Sequence, residues 1–210
     1  MAFDEGPVIN LPRKKAKEGL RLIRDAAFYM ILGALLIGIS VINILPAIFS
    51  PDIVKVPAII SSSIITIGAM IAGAIIALLG VYNKLLPGAS SLADYSERYS
   101  TPASLIKIGY LGGLISLIVG IATIVIIIGA LFILIGALLM FIGEIGLIIL
   151  MFKLNDEFGN SKFLIAGILF ILGLFIQLLD LIGWILVYIG AGETIEKLET
   201  IIWPPPPPSL

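Results

Sequence analysis

The chain has 210 residues, 60% of them hydrophobic and only 13% charged, with a mean hydropathy of +1.17 and a formal net charge of -1. That leaves too little polar surface for a water-soluble globule, and the balanced charge offers no basic stripe for nucleic acid. There is no Cys and no His, so the chain has no disulfides, no thiolate or imidazole metal ligands, no His-ligated haem and no Ser/His or Cys/His catalysis of its own.

A bilayer core of roughly 30 Å takes about 20 helical residues, and apolar blocks of that length recur along the chain. The first predicted span is Ala26 to Phe49, closed by Pro46 and the turn-like Ser50-Pro51-Asp52; the second is Ala58 to Tyr82. A polar connection from Asn83 to Ala103 follows, carrying Pro87-Gly88 and the DYSERY stretch. Leu105 to Phe152 is long enough to cross twice, with a break predicted at Ile128-Gly129-Ala130 that forces spans three and four into an antiparallel hairpin. Lys153 to Lys162 ends span four. Phe163 to Gly190, at 28 residues, is about 42 Å of helix. One tilted helix is the preferred reading; the alternative is a re-entrant hairpin bending around Gln177 to Gly183, tolerated at depth only when shielded by protein or water. The expected fold is therefore all-α, a polytopic transmembrane helical bundle of about five spans with its ends on opposite sides. It divides into a basic amphipathic arm (1–25), a transmembrane domain (26–190) and an interfacial segment with a polyproline tail (191–210).

Orientation follows from the basic residues of the connections. With the N-terminus inside, that side holds Arg13, Lys14, Lys15, Lys17, Arg21, Arg24, Lys84, Arg98, Lys107, Lys153 and Lys162, against Lys55 and Lys197 outside: eleven to two. The acidic Met1 to Pro7 and the length of the first apolar block read as an uncleaved signal anchor. In the arm, Leu20, Ile23 and Ala27 lie at helical spacing, which suits either an interfacial helix on anionic headgroups or plain positive-inside flanking, the simpler reading.

Small residues give the most specific pattern. Gly109, Gly113, Ser116, Gly120 and Thr123 share one face of span three; Gly129, Gly136 and Gly143, flanked by Ala130, Ala137 and Glu144, repeat it in span four; Thr66, Ala69, Gly73, Ala77 and Gly80 do so in span two. Such stripes let transmembrane backbones approach closely. Glu144 lies on the packing stripe rather than facing lipid, and Ala166, Gly173, Gln177 and Asp180 share a face of the last block. Intramembrane acids are candidates for proton or cation relays, for partner docking, or for structural polar contacts across helices. In a five-span arrangement Glu144 and Asp180 lie at different depths, which argues against a shared site.

At the end of the chain Ile195, Leu198 and Ile202 form an amphipathic stretch, followed by Trp203 as an interfacial anchor and by Pro204 to Pro208, an extended tail. The arm EGLRLIRDAAF, the YLGGLISLIVGI and LFILIGALLMFIGEIGLIIL hairpin, the link after FKLNDEFG and the closing WILVYIGAGETIEKL resemble an uncharacterised family of archaeal multi-spanning membrane proteins, a domain of unknown function. The resemblance implies an archaeal plasma-membrane location and tight glycine-rich spans, and carries no activity or site residues. No enzyme is expected, because no nucleophile, base and oxyanion donor can be grouped, and Gly109, Gly112 and Gly113 lie inside a span rather than in a phosphate loop. No cofactor is expected. The expected role is that of a structural or accessory subunit among membrane lipids, with other membrane subunits or further copies as partners. The alternative is a small proton- or cation-coupled transporter or channel using Glu144 and Asp180.

Overall fold

A computed structural model of the chain describes residues 10–49, 56–123 and 127–200. Among these every element is helical: α1 Asn10–Phe49, α2 Val56–Gly80, a π-helical turn Val81–Leu85 running on into α3 Leu86–Tyr95, a 3-10 turn Glu97–Tyr99, α4 Ser100–Ala122, α5 Ile127–Phe158, α6 Ser161–Gly173 and α7 Gln177–Thr200. Five helices are long and apolar enough to cross a membrane, as the apolar blocks predict. In hydrocarbon a backbone must satisfy its own hydrogen bonds, and long helices do so.

The segment read as a polar connection from Asn83 is largely helix. Val81, Leu85, Ala89 and Leu92 recur at helical spacing and are buried in one cluster with Leu20 and Ile23 of α1. Pro87 lacks an N–H and crowds the carbonyl one turn back. The chain widens just before it, where the Leu86 N–H reaches the Val81 carbonyl in a π-type bond, so the helix passes Pro87 without ending.

Helices pair antiparallel through glycine. In α1 and α2, a Cβ on Gly33 would meet the Gly73 carbonyl oxygen at 2.7 Å, and one on Gly80 would meet Tyr29 at 2.6 Å. In α4 and α5, Gly109 lies against the Gly143 backbone, Gly113 against Gly136 and Met140, and Gly120 against Gly129 and Ile133. Gly129 is therefore a packing residue of α5 rather than the predicted turn: Ile128-Gly129-Ala130 belongs to the helix, α4 ends at Ala122 and α5 starts at Ile127, and residues 124–126 lie outside the described residues. The α5–α6 corner is built by Gly159, at φ +62°, whose N–H donates to the Asn155 carbonyl at 2.8 Å, and by Asn160, which caps α6 by accepting from the Lys162 N–H at 3.2 Å.

The single helix preferred for Phe163 to Gly190 does not form. α6 ends at Gly173 and α7 starts at Gln177, and the two run antiparallel, with Gly173 on Asp180, Gly183 on Phe170 and Gly190 beside Phe163. The bend precedes Gln177 rather than lying between Gln177 and Gly183. Its backbone stays paired: the N–H groups of Phe175 and Ile176 both donate to the Leu172 carbonyl at 3.0 Å, and that of Leu179 to Ile176 at 2.9 Å. Small Gly173 and Gly183 admit the close return that a continuous helix cannot offer. Glycine spacing alone does not separate packing against a neighbour from packing against the next segment.

Because α7 returns alongside α1, Glu199 in its last turn pairs with Lys17 near the start of α1, and midway along both helices Tyr188 lies 6.3 Å from Phe28 between ring centroids. The described ends of the chain therefore lie on one side, not on opposite sides. The ion pairs among the described residues, Lys15–Asp94, Lys17–Glu199, Lys84–Asp25, Arg98–Glu157 and Lys162–Glu193, all fall in that half. So does the core of large side chains, including Leu20, Ile23, Tyr99, Met151, Phe163, Phe170 and Trp184. In the other half the buried described residues are all small, Gly33, Ser40, Thr66, Gly73, Gly113, Gly120, Gly129 and Gly136, while the Ile and Leu side chains point outward. The apolar exterior and the span-length helices describe a membrane protein.

Candidate functional site

α6 has 13 residues, about 20 Å of helix, and so reaches only part-way through a hydrocarbon core of roughly 30 Å. The hairpin tip is correspondingly apolar: Leu174, Phe175 and Ile176 are exposed, Phe175 by 85%. Directly beneath it Asp180, in the first turn of α7, faces α5. Glu144 sits nine residues before Lys153 on α5, about 13 Å along the helix from that charge. The two carboxyls consequently line one cleft of about 310 Å³, together with Met140, Phe141, Phe170, Gly173, Leu174 and Gln177. This corrects the expectation of different depths, which followed from the unbroken fifth span.

Glu144 is half-buried and oriented from α4, where the Tyr110 hydroxyl donates to its Oε2 at 2.6 Å. Tyr110 is itself tied down: its backbone carbonyl accepts from the Tyr82 hydroxyl at 2.8 Å. Tyr82 lies in the π turn, a local rewinding frequently found at functional sites. Three helical segments thus converge on one acid. Asp180 stands against Gly173, where any Cβ would meet Asp180 at 3.0 to 3.2 Å. Four residues on, buried Trp184 packs its ring on Phe170 with centroids 5.0 Å apart. Gln177 is exposed at the start of α7 and lines the same cleft.

A second polar group fastens the hairpin base. Asn160 Nδ2 donates to the Gly190 carbonyl at 3.0 Å and to Thr194 Oγ1 at 3.3 Å, and Lys162 Nζ holds Glu193 at 2.7 Å. Asn160 and Thr194 are buried.

Of the residues singled out from the sequence, Glu144, Gln177 and Asp180 are brought together, while Gly109, Gly113, Gly120, Gly136 and Gly143 form the α4–α5 seam. Ser116 lies half-buried on the same helix. Tyr82, Tyr110 and Asn160 were missed. Tyr110 adjoins the glycine stripe and is four residues before Leu114 in a run with no other hydroxyl ring; a tyrosine inside a span was the signal available for it. Asn160, directly after the positive-φ glycine, carried a helix-start signal but none for its partners on α7. Among the described residues no group of three or more acidic side chains is placed to hold a metal ion.

Comparison with curated proteins and with solved structures finds no match in either. A family model does match residues 17–207, which spans every described helix from the basic turns of α1 to the end of α7, the hairpin and its two acids included. The chain therefore belongs to the family described as protein of unknown function, DUF973.

Proposed function

We propose that this protein is a small proton- or cation-coupled carrier or channel of the plasma membrane, with Glu144 and Asp180 as its ion-binding pair. The observation that carries this reading is the hairpin tip, which brings Asp180 into the cleft of Glu144. Interrupted helices ending at mid-depth, with acids at the interruption, are how membrane proteins place ion sites where hydrocarbon would otherwise exclude charge. Two carboxyls offer hard oxygen ligands that can share a proton or hold a monovalent cation, and the Tyr110 hydroxyl fixes one of them while supplying a donor when that acid is ionised. The N-terminus is cytoplasmic in this proposal. The return of α7 moves Lys197 to the basic side, which accords with the positive-inside bias.

The glycine stripes are occupied within the chain, Gly109 by Gly143 and Gly33 by Gly73, and so offer no support for a partner at those faces. One observation still favours a second reading, an accessory subunit: Gly38 and Gly68, five residues beyond the Gly33–Gly73 contact and so about 140° around each helix from it, are exposed with open space around them, and each leaves a small-residue face that a second copy or another membrane subunit could approach. Reconstitution separates the two. Vesicles holding the purified chain should dissipate an imposed pH or cation gradient, and Glu144→Gln and Asp180→Asn should each abolish that flux while the helical content is kept. Tight vesicles with folded protein and no flux would leave the accessory role.

A further inference from the structure

A second cleft, of about 370 Å³, lies between α1, the π turn and α7, lined by Arg24, Asp25, Phe28, Tyr29, Lys84 and Tyr188. Its charge is unbalanced. Lys84 Nζ is 3.2 Å from Asp25 Oδ2, which uses the one acid lining the cleft. Arg24 forms no ion pair among the described residues; its Nε is buried without a hydrogen-bond partner, and its guanidinium lies 5.9 Å from the centre of the Tyr188 ring. On α7, Glu193 is held by Lys162. A buried guanidinium donor without an acceptor is costly, and bidentate anions match its geometry.

Position selects the anion. Arg24 precedes the apolar block that opens at Ala26, and Lys84 follows the one that closes at Tyr82, so both cations stand where the ion-paired end meets the apolar exterior. Phe28 and Tyr188, which face each other across α1 and α7, are exposed on the apolar side of the cleft and offer a path for an acyl chain. We propose that this cleft holds the phosphate of an anionic phospholipid, with Arg24 as the principal ligand, Lys84 as the second cation and the lipid chains along Phe28 and Tyr188. The Lys84–Asp25 pair keeps the site at one net positive charge, which suits a phosphodiester. The site is separate from the Glu144 cleft and stands whether or not that cleft moves ions.

The test is the thermal stability and native mass spectrum of the full chain, stripped of lipid in a neutral detergent. Phosphatidylglycerol should raise the melting temperature and remain bound at one molecule per chain, whereas phosphatidylcholine and inorganic phosphate at the same concentration should do neither. Arg24→Gln should weaken phosphatidylglycerol binding about tenfold or more, Arg24→Lys should restore part of it, and raised salt should weaken it in the unaltered protein, an arm that needs no folded variant. Equal retention of the two lipids, or an unchanged affinity in Arg24→Gln, would overturn the site. Stabilisation by inorganic phosphate without a further gain from the lipid would assign the cleft to a soluble anion instead.

Discussion

At Gly109 the α4 and α5 backbones meet so closely that a methyl group has no room against Gly143. Gly109→Ala should push the helices apart and destabilise the chain by about 1–3 kcal/mol, the usual range for overpacking. Gly68→Ala, on a face with open space, should change stability by less than ~0.5 kcal/mol. Denaturation of the two variants in the same detergent checks both numbers, and equal effects would deny the seam. At Glu144 the fold asks less. Glu144→Gln keeps an acceptor for the Tyr110 hydroxyl and should alter stability by no more than about 1 kcal/mol, so loss of flux in that variant reports on the ionisable proton rather than on the helices. Tyr110→Phe removes the donor that orients Glu144 and should slow flux without abolishing it.

The α6–α7 hairpin is the element on which the site depends, and its base is where it can be loosened. Asn160→Leu strips the hydrogen bonds to Gly190 and Thr194 in a buried setting, leaving Thr194 without its side-chain donor, and should cost about 1–3 kcal/mol. The hairpin also makes a topological prediction that a chain without cysteine makes simple to check: Thr200→Cys should react with an impermeant thiol reagent from the same side as Ser96→Cys, and Phe175→Cys from neither. Labelling of Thr200→Cys from the side opposite to Ser96→Cys would restore a fifth full crossing. The long apolar helices, the pairing of spans three and four and the candidate acids were legible in the sequence, because hydrocarbon thickness imposes length and glycine spacing marks close approach. The hairpin was legible only as the alternative to one tilted helix, with its bend placed a few residues late. Residues 163–173 and 177–190 read as one apolar block, since Leu174, Phe175 and Ile176 carry no turn residue; a bend at mid-depth has no water to meet and so needs no polar signal. With the bend hidden, Asp180 was placed away from Glu144, and the pairing of the two acids was lost with it. The helix through Pro87 was missed for the opposite reason: a strong breaker signal was offset by tertiary burial of Leu85, Ala89 and Leu92.

Across the whole molecule the two halves are built on different physics. One end joins α1, the π turn, α3 and α4 to α7 through large side chains and a shell of ion pairs; the other holds α1 to α2 and α4 to α5 by small-residue seams, with lipid-facing Ile and Leu around them. The Glu144–Asp180 cleft lies where the α6–α7 hairpin stops, between the joined end and the open one. In the proposed function, the α4–α5 pair that carries Glu144 and the hairpin that carries Asp180 are the two parts whose relative movement would open the site to either side. The measurement that tests this most directly is proton or monovalent-cation flux in vesicles reconstituted with the purified chain alone, read against Glu144→Gln and Asp180→Asn at matched protein density. Gradient-driven flux is expected in the unaltered chain and none in either variant, with all three equally folded. Flux that persists unchanged in both variants, or its absence from the unaltered chain in sealed vesicles, would contradict it.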